Sequence, residues 1–195
     1  KYTYNNIDVN GSIDHGLFVA NASSNDTNLT FVMDTKGAFT SDKPSLDLSL
    51  NLQIIDLNKL NFHTEPLKMK GHIDAIFTDL NPDNLNGIVN INNFLVALEK
   101  EQFPLDTISI KVISTTEKDS IILKSQCATG LITGDYKLST ISDQFINSIS
   151  KYYQFDKKYV SNSTDQALQF DFTINDNPII KKIIPEIVEL SEITI

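Results

Sequence analysis

Ser45-Leu46-Asp47-Leu48-Ser49-Leu50-Asn51-Leu52-Gln53-Ile54 decides the fold. Every second residue is aliphatic, from Leu46 to Ile54, and every residue between is polar. A helix would scatter the four leucines around its axis. A strand sets alternate side chains on one face, so all of them face the same way. The segment is read as a β-strand with one apolar and one wet face, the pattern of an antiparallel sheet.

The same period of two extends in both directions. Met69, Gly71, Ile73, Ala75 and Phe77 alternate with Lys70, His72, Asp74 and Ile76. Ile108, Ile110 and Val112 alternate with Thr107, Ser109 and Lys111. Ala128, Gly130, Ile132, Gly134, Tyr136 and Leu138 share one face of a further strand. Leu168, Phe170, Phe172 and Ile174 alternate with Gln169, Asp171 and Thr173. Weaker alternation predicts strands at Gly11–Ala20, Leu29–Asp34, Gly87–Asn92 and Ser120–Lys124.

Helical signal is sparse. Ile141, Phe145, Ile149 and Tyr152 recur at helical spacing, and Thr140 with Asp143 resembles a capping box, so a helix is expected over Thr140–Tyr153. A second, short helix is expected to start at Asn177 as N-cap, with Pro178 at its first position, and to stop near Pro185. Strands followed by short detours recur at irregular spacing, in LSLNLQIIDLNKL, HIDAIFTDLNPDNLNG, YKLSTISDQFINSIS and FDFTINDNPIIKKII. That pattern suggests one long sheet built from strand-plus-insertion units.

Composition removes several functions. The 195 residues include 41% hydrophobic residues, enough for a folded core. The net charge is −9, and all 16 cationic residues are lysine, a poor match to nucleic-acid phosphates. Cys127 is alone, so no disulfide framework is expected. His15, His63 and His72 are dispersed, so no metal centre is expected. No apolar run approaches the roughly 20 residues of a membrane-spanning helix.

No catalytic constellation emerges. There is no nucleophile elbow and no phosphate-binding loop. Gly130 and Gly134 lie on a strand, where close packing or a bulge explains them. Asp79-Leu80-Asn81-Pro82-Asp83-Asn84 superficially resembles a calcium loop. It has Asn84 and Asn90 where an EF-hand needs Gly and Glu, so it is read as a turn. Cys127 has only Lys124 nearby in sequence to lower its pKa and is read as structural. The chain is therefore read as non-enzymatic, with no cofactor. What remains is the apolar face. It either closes against a second sheet as a sandwich core or stays open as a groove of one curled sheet. Periodicity puts the same residues inside in both cases and does not separate them; sequence physics alone favours the closed core, and the resemblance that follows favours the groove.

From Leu46 to Ile195 the sequence resembles the TamB branch of the AsmA-like envelope proteins, in the form common in Bacteroidetes. GHIDAIFTDLNPDNLNGIVNINNF is similar to that family's strand–turn–strand unit. LDTISIKVISTTEKDSIILKSQCATGLITGDYKLSTI is similar to its hairpin, SDQFINSISKYY to the helix that follows, and FDFTINDNPIIKKIIPEI to a later strand-plus-Pro unit. Residues 1–43 are strand-like but carry no such signature; residues 44–195 carry the TamB-like units. The chain is thus expected to be one β-rich segment, internal to a larger repetitive protein.

The resemblance implies a mainly β fold: an elongated, curled antiparallel or mixed sheet forming a β-taco-like trough, with one or two short helices. It also implies that the apolar stripes line a lipid groove. On the first strands these are Leu46, Leu48, Leu50, Leu52, Ile54, Ile73, Ala75 and Phe77. Further along they are Ile108, Ile110, Val112, Ile132, Tyr136, Leu168, Phe170, Phe172 and Ile174. The implied ligand is the acyl chains of phospholipids, moved between inner and outer membranes, with a role in outer-membrane assembly as in the translocation and assembly module. The implied location is the periplasm, within an inner-membrane-anchored protein whose other parts meet the outer-membrane assembly partner. The alternative is a structural or adhesion-type β-sandwich with a closed core and no lipid.

Overall fold

Every stretch of alternation becomes a strand, and each strand pairs with its neighbours in sequence. The computed structural model describes residues 2–39, 42–141, 167–183 and 193–194. Eleven strands form one sheet in sequence order. They are β1 (Ile7–Asp14), β2 (Leu17–Asp26), β3 (Leu29–Ala38), β4 (Ser45–Asp56), β5 (Leu67–Asp79) and β6 (Asn86–Leu98). After them come β7 (Glu101–Ser114), β8 (Asp119–Lys124), β9 (Ala128–Asp135), β10 (Ala167–Ile174) and the two-residue β11 (Ile193–Thr194). All pairings are antiparallel, and β1 does not pair with β11, so the sheet is open and curls into a trough. One helix, α1 (Pro178–Ile183), and one 3-10 turn (Pro82–Asn84) complete the described elements. The expected helix over Thr140–Tyr153 lies almost wholly outside the described residues.

Two expectations change. Gly11–Ala20 is two strands rather than one, because His15 and Gly16 form a two-residue turn with φ of 46° and 82°. Positive φ at both centres suits a tight hairpin, and its twist matches the flanking strands. The run Leu46–Ile54 is broken by a bulge. Leu52 pairs with Gly71 and Ile55, not Ile54, pairs with Met69. On the other side Ile54 faces Thr30, while Ile55 faces Leu29. The extra residue moves Ile54 off the apolar face and puts Ile55 in its place.

Bulges recur at this end of the sheet. The β5–β6 register shifts between Lys70 and His72, and the β6–β7 register shifts around Phe94. Asn93 and Asp106 take φ of 52° and 44° there, which short polar side chains tolerate best. A row of bulges across β4 to β7 bends the strands and adds twist at this end of the sheet. There α1 docks. Asn177 Oδ1 accepts the Ile179 N–H at 3.1 Å, capping the helix start as its sequence predicts. Ile179 is buried with Val96, Phe103 and Leu105. Lys182 lies 3.4 Å from Glu99 and 3.6 Å from Glu101, on and beside the β6–β7 turn. Those carboxylates push the Lys182 pKa up. Cys127 packs against the same cluster, and burial raises its thiol pKa, as suits an inert packing residue.

The strand ends are held by aspartates. Asp26, Asp56 and Asp79 are buried, and each accepts a backbone N–H from the turn beyond it: Asn28 at 2.9 Å, Lys59 at 3.0 Å and Asn81 at 2.9 Å. Asp26 also takes hydrogen bonds from Tyr2 and Asn5, with Tyr2 the principal cause of its lowered pKa. The 79–84 segment is accordingly a turn, with Asn81 capping the 3-10 residues.

A candidate apolar trough

The register lines up apolar residues across the sheet. Residues paired across strands share a face, so the pairs define lanes running perpendicular to the strands. One lane runs Leu46, Phe77, Gly87, Val112, Ile121, Ile132, Phe170. Beside it runs Leu48, Ala75, Val89, Ile110, Leu123, Gly130, Phe172. A third runs Val9, Ala22, Met33, Leu50, Ile73, Ile91, Ile108. Leu52 follows on β4 beside Phe31. Leu168 and Ile174 stand at the two ends of the same β10 face.

Between the strand ends this face carries no Lys, His or Glu among the described residues of β1 to β10, and one Asp: Asp106, which pairs with Phe94 at the β6–β7 bulge and accepts a hydrogen bond from Gln126 at 2.6 Å. Its few hydroxyls turn to the backbone. Thr35 Oγ1 donates to the Asp47 carbonyl at 3.1 Å, and Ser24 Oγ to the Leu29 carbonyl at 2.7 Å. The opposite face is wet and internally bonded. Asn21 donates to Asp34, Ser49 to Asp74 at 3.1 Å, Ser109 to Asn90 at 2.8 Å, and Lys36 pairs with Asp47 at 3.3 Å.

Phenylalanines lie against glycines on the apolar face. A Cβ on Gly37 would stand 2.8 Å from Phe18 Cε1, one on Gly87 2.3 Å from Phe77 Cδ1, and one on Gly130 2.4 Å from Phe172 Cε1. Gly71 is met by Phe94 Cδ2 at 3.1 Å. Each ring therefore lies flat over a neighbouring strand instead of standing up into the trough. This is the packing that rescues glycine in sheets, and it keeps the trough wide. Gly87→Val is expected to destabilise by about 1–3 kcal/mol, since its side chain meets both the Phe77 ring and the Ile76 carbonyl, 2.6 Å away. Chemical denaturation checks this, and adding Phe77→Ala should recover part of the loss.

The apolar face stays open. Phe170 is 48% exposed, Ile110 37%, Val9 69% and Ile13 70%. The described residues include no large side chain that is fully buried, which a closed sandwich of this size would have. Among the described residues, the α1 end is sealed by the buried cluster of Val96, Phe103, Leu105 and Ile179. Of the sequence-predicted lining, Leu46 to Leu52, Ile73 to Phe77, Ile108 to Val112, Ile132 and Leu168 to Ile174 share this one face. Ile54 does not, for the bulge removes it. Tyr136 does not line the trough either. It follows β9 and is buried at 3% exposure, in a pocket formed with Pro82, Val112 and Asp119. Burial, then the Asp119 charge, raises its pKa.

Alternation alone missed several lining residues. Val89 and Ile91 on β6, and Ile121 and Leu123 on β8, sit beside outward-facing Ile88 and Ile122, so their strands read as apolar on both faces. Phe18, Ala22, Phe31 and Met33 extend the same face into β2 and β3. No helix among the described residues is long and apolar enough to cross a membrane. Nor do they contain a group of three potential metal ligands. No protein-family model, curated protein or solved structure matches the chain.

Proposed function

We propose that this chain is a non-enzymatic segment of a TamB-like envelope protein, and that its trough shelters phospholipid acyl chains on their way between two membranes. The observation that carries the reading is the open apolar face continuous across ten strands, with Asp106 at the β6–β7 bulge its one charged residue between the strand ends among the described residues. At about 4.8 Å per strand the ten-strand face is roughly 40 Å across, against about 15 Å for the hydrocarbon of one leaflet. Acyl chains need a continuous apolar lining and no charged contact, and exposed patches of this extent mark ligand or partner sites. The polar outer face suits an aqueous compartment, here the periplasm, with membrane anchor and outer-membrane partner contacts supplied elsewhere in a longer protein.

A structural β-domain without lipid is the competing reading, and the sealed cluster of Val96, Phe103, Leu105 and Ile179 favours it at one end. Native mass spectrometry of the purified protein, with lipid extraction, separates the two. Phospholipid co-purifying at a defined stoichiometry supports the trough. A protein that stays lipid-free after expression in a Gram-negative envelope, and takes none from vesicles, supports the structural domain.

A further inference from the structure

Helix α1 lies on ground that otherwise belongs to the trough. The pairs Leu29↔Ile55, Ile55↔Met69, Met69↔Val96 and Val96↔Phe103 make a further apolar lane on the same face. Phe103 and Leu105 precede Ile108, Ile110 and Val112 along one side of β7. The apolar face therefore runs on beneath the helix. Ile179, 3% exposed, is set down on Val96, Phe103 and Leu105, with Ile180 packed at the margin.

The helix is held between two neighbouring turns. Just before it, Asn175 donates its N–H to the Cys127 carbonyl at 2.9 Å and its side-chain amide to the Gln126 carbonyl at 3.0 Å, both in the β8–β9 turn. Near its end Lys182 reaches Glu99 and Glu101 at the β6–β7 turn. These holds are light. Six residues do not make a stable helix alone. The two glutamate side chains are 58% and 60% exposed, and ion pairs so wet contribute little. Apolar burial, chiefly of Ile179, keeps α1 in place. An acyl chain laid on the same residues gains burial of the same kind.

We propose that α1 is an autoinhibitory strap: Ile179 and Ile180 occupy an acyl-chain seat on Val96, Phe103 and Leu105, and lipid entering this end of the trough displaces them. The proposal rests on the lipid reading of the trough. The two occupants exclude each other, so their binding is linked. Lipid loosens the helix, and whatever loosens the helix raises the apparent lipid affinity by enlarging the fraction of molecules with a free seat.

Vesicles of palmitoyl-oleoyl-phosphatidylcholine are the probe, with lipid bound per protein counted after the vesicles are removed. Hydrogen exchange is followed by mass spectrometry on the same samples. The amides of Ile179 and Ile180 bond to Asn177 in the docked helix. On loading they should exchange about tenfold faster, while those of β4 to β6 do not quicken. Lys182→Glu, which turns both ion pairs into repulsions, should take up lipid at about threefold lower vesicle concentration. Adding Glu99→Lys and Glu101→Lys restores the pairs with reversed sign and should return uptake to its starting value. Lipid uptake with α1 protection unchanged or raised would overturn the strap and leave the trough standing. So would equal uptake by Lys182→Glu and the unaltered chain. No lipid on either protein would overturn the trough, and the strap with it.

Discussion

Leu50→Asp is expected to leave the sheet folded and to empty the trough of lipid. Leu50 lies mid-strand between Met33 and Ile73 and is only half-buried. In an open trough its carboxylate keeps water on one side, so the cost to folding is the lost packing and strand preference, about 1–2 kcal/mol. An acyl chain laid over that carboxylate would strip the water away. Desolvating an unpaired charge costs several kcal/mol, which lowers lipid occupancy by more than about a hundredfold. Phe172→Lys, over Gly130 in the adjacent lane, should behave alike. Thermal melting and lipid counting on the same preparation read both effects. If either variant simply unfolds, the face is a closed core, because burial of such a charge would consume much of a stability of about 5–15 kcal/mol.

Phe103→Ala is expected to cost about 3–5 kcal/mol, whereas Phe170→Ala should cost about 1 kcal/mol or less. The residues are chemically identical and occupy the same face. Phe103 is 8% exposed, under Ile179 of α1, while Phe170 is 48% exposed. Truncating the first leaves a cavity that its neighbours cannot fill; truncating the second leaves a surface that water already reaches. Urea denaturation measures both. Equal, large losses would mean that Phe170 is covered as Phe103 is, and the trough would then be sealed along its length.

Strand faces were legible wherever alternation was unbroken and the outer residues were polar. Leu46 to Leu52, Ile108 to Val112 and Leu168 to Ile174 needed only the period of two. The reading failed where that period is interrupted. One inserted residue near Gln53 reverses the face of everything beyond it, and no residue type there announces it. Asn93 and Asp106, which tolerate positive φ, are the only local signs of the other bulges. For Tyr136 the face was right and the environment wrong. The Pro82–Asn84 turn, brought close by the β5–β6 connection, forms the wall beside it, a contact over fifty residues that no local pattern records. The start of α1 was legible from Asn177-Pro178 because capping is local chemistry. Its docking on Val96 and Phe103 was not, because that depends on where the bulges bend the sheet. The openness of the apolar face could not be read at all, since a sandwich and a trough place the same residues inside.

Photocrosslinking to lipid tests the trough most directly. A benzophenone side chain placed at Leu50, Ile110 or Phe170 projects from the apolar face; at Asn51, Lys111 or Asp171 it projects from the wet one. Irradiated in an envelope labelled with radioactive phosphate, the first three should yield protein carrying phospholipid and the second three should not. Adducts at both sets alike, or at neither, would contradict a lipid-bearing trough.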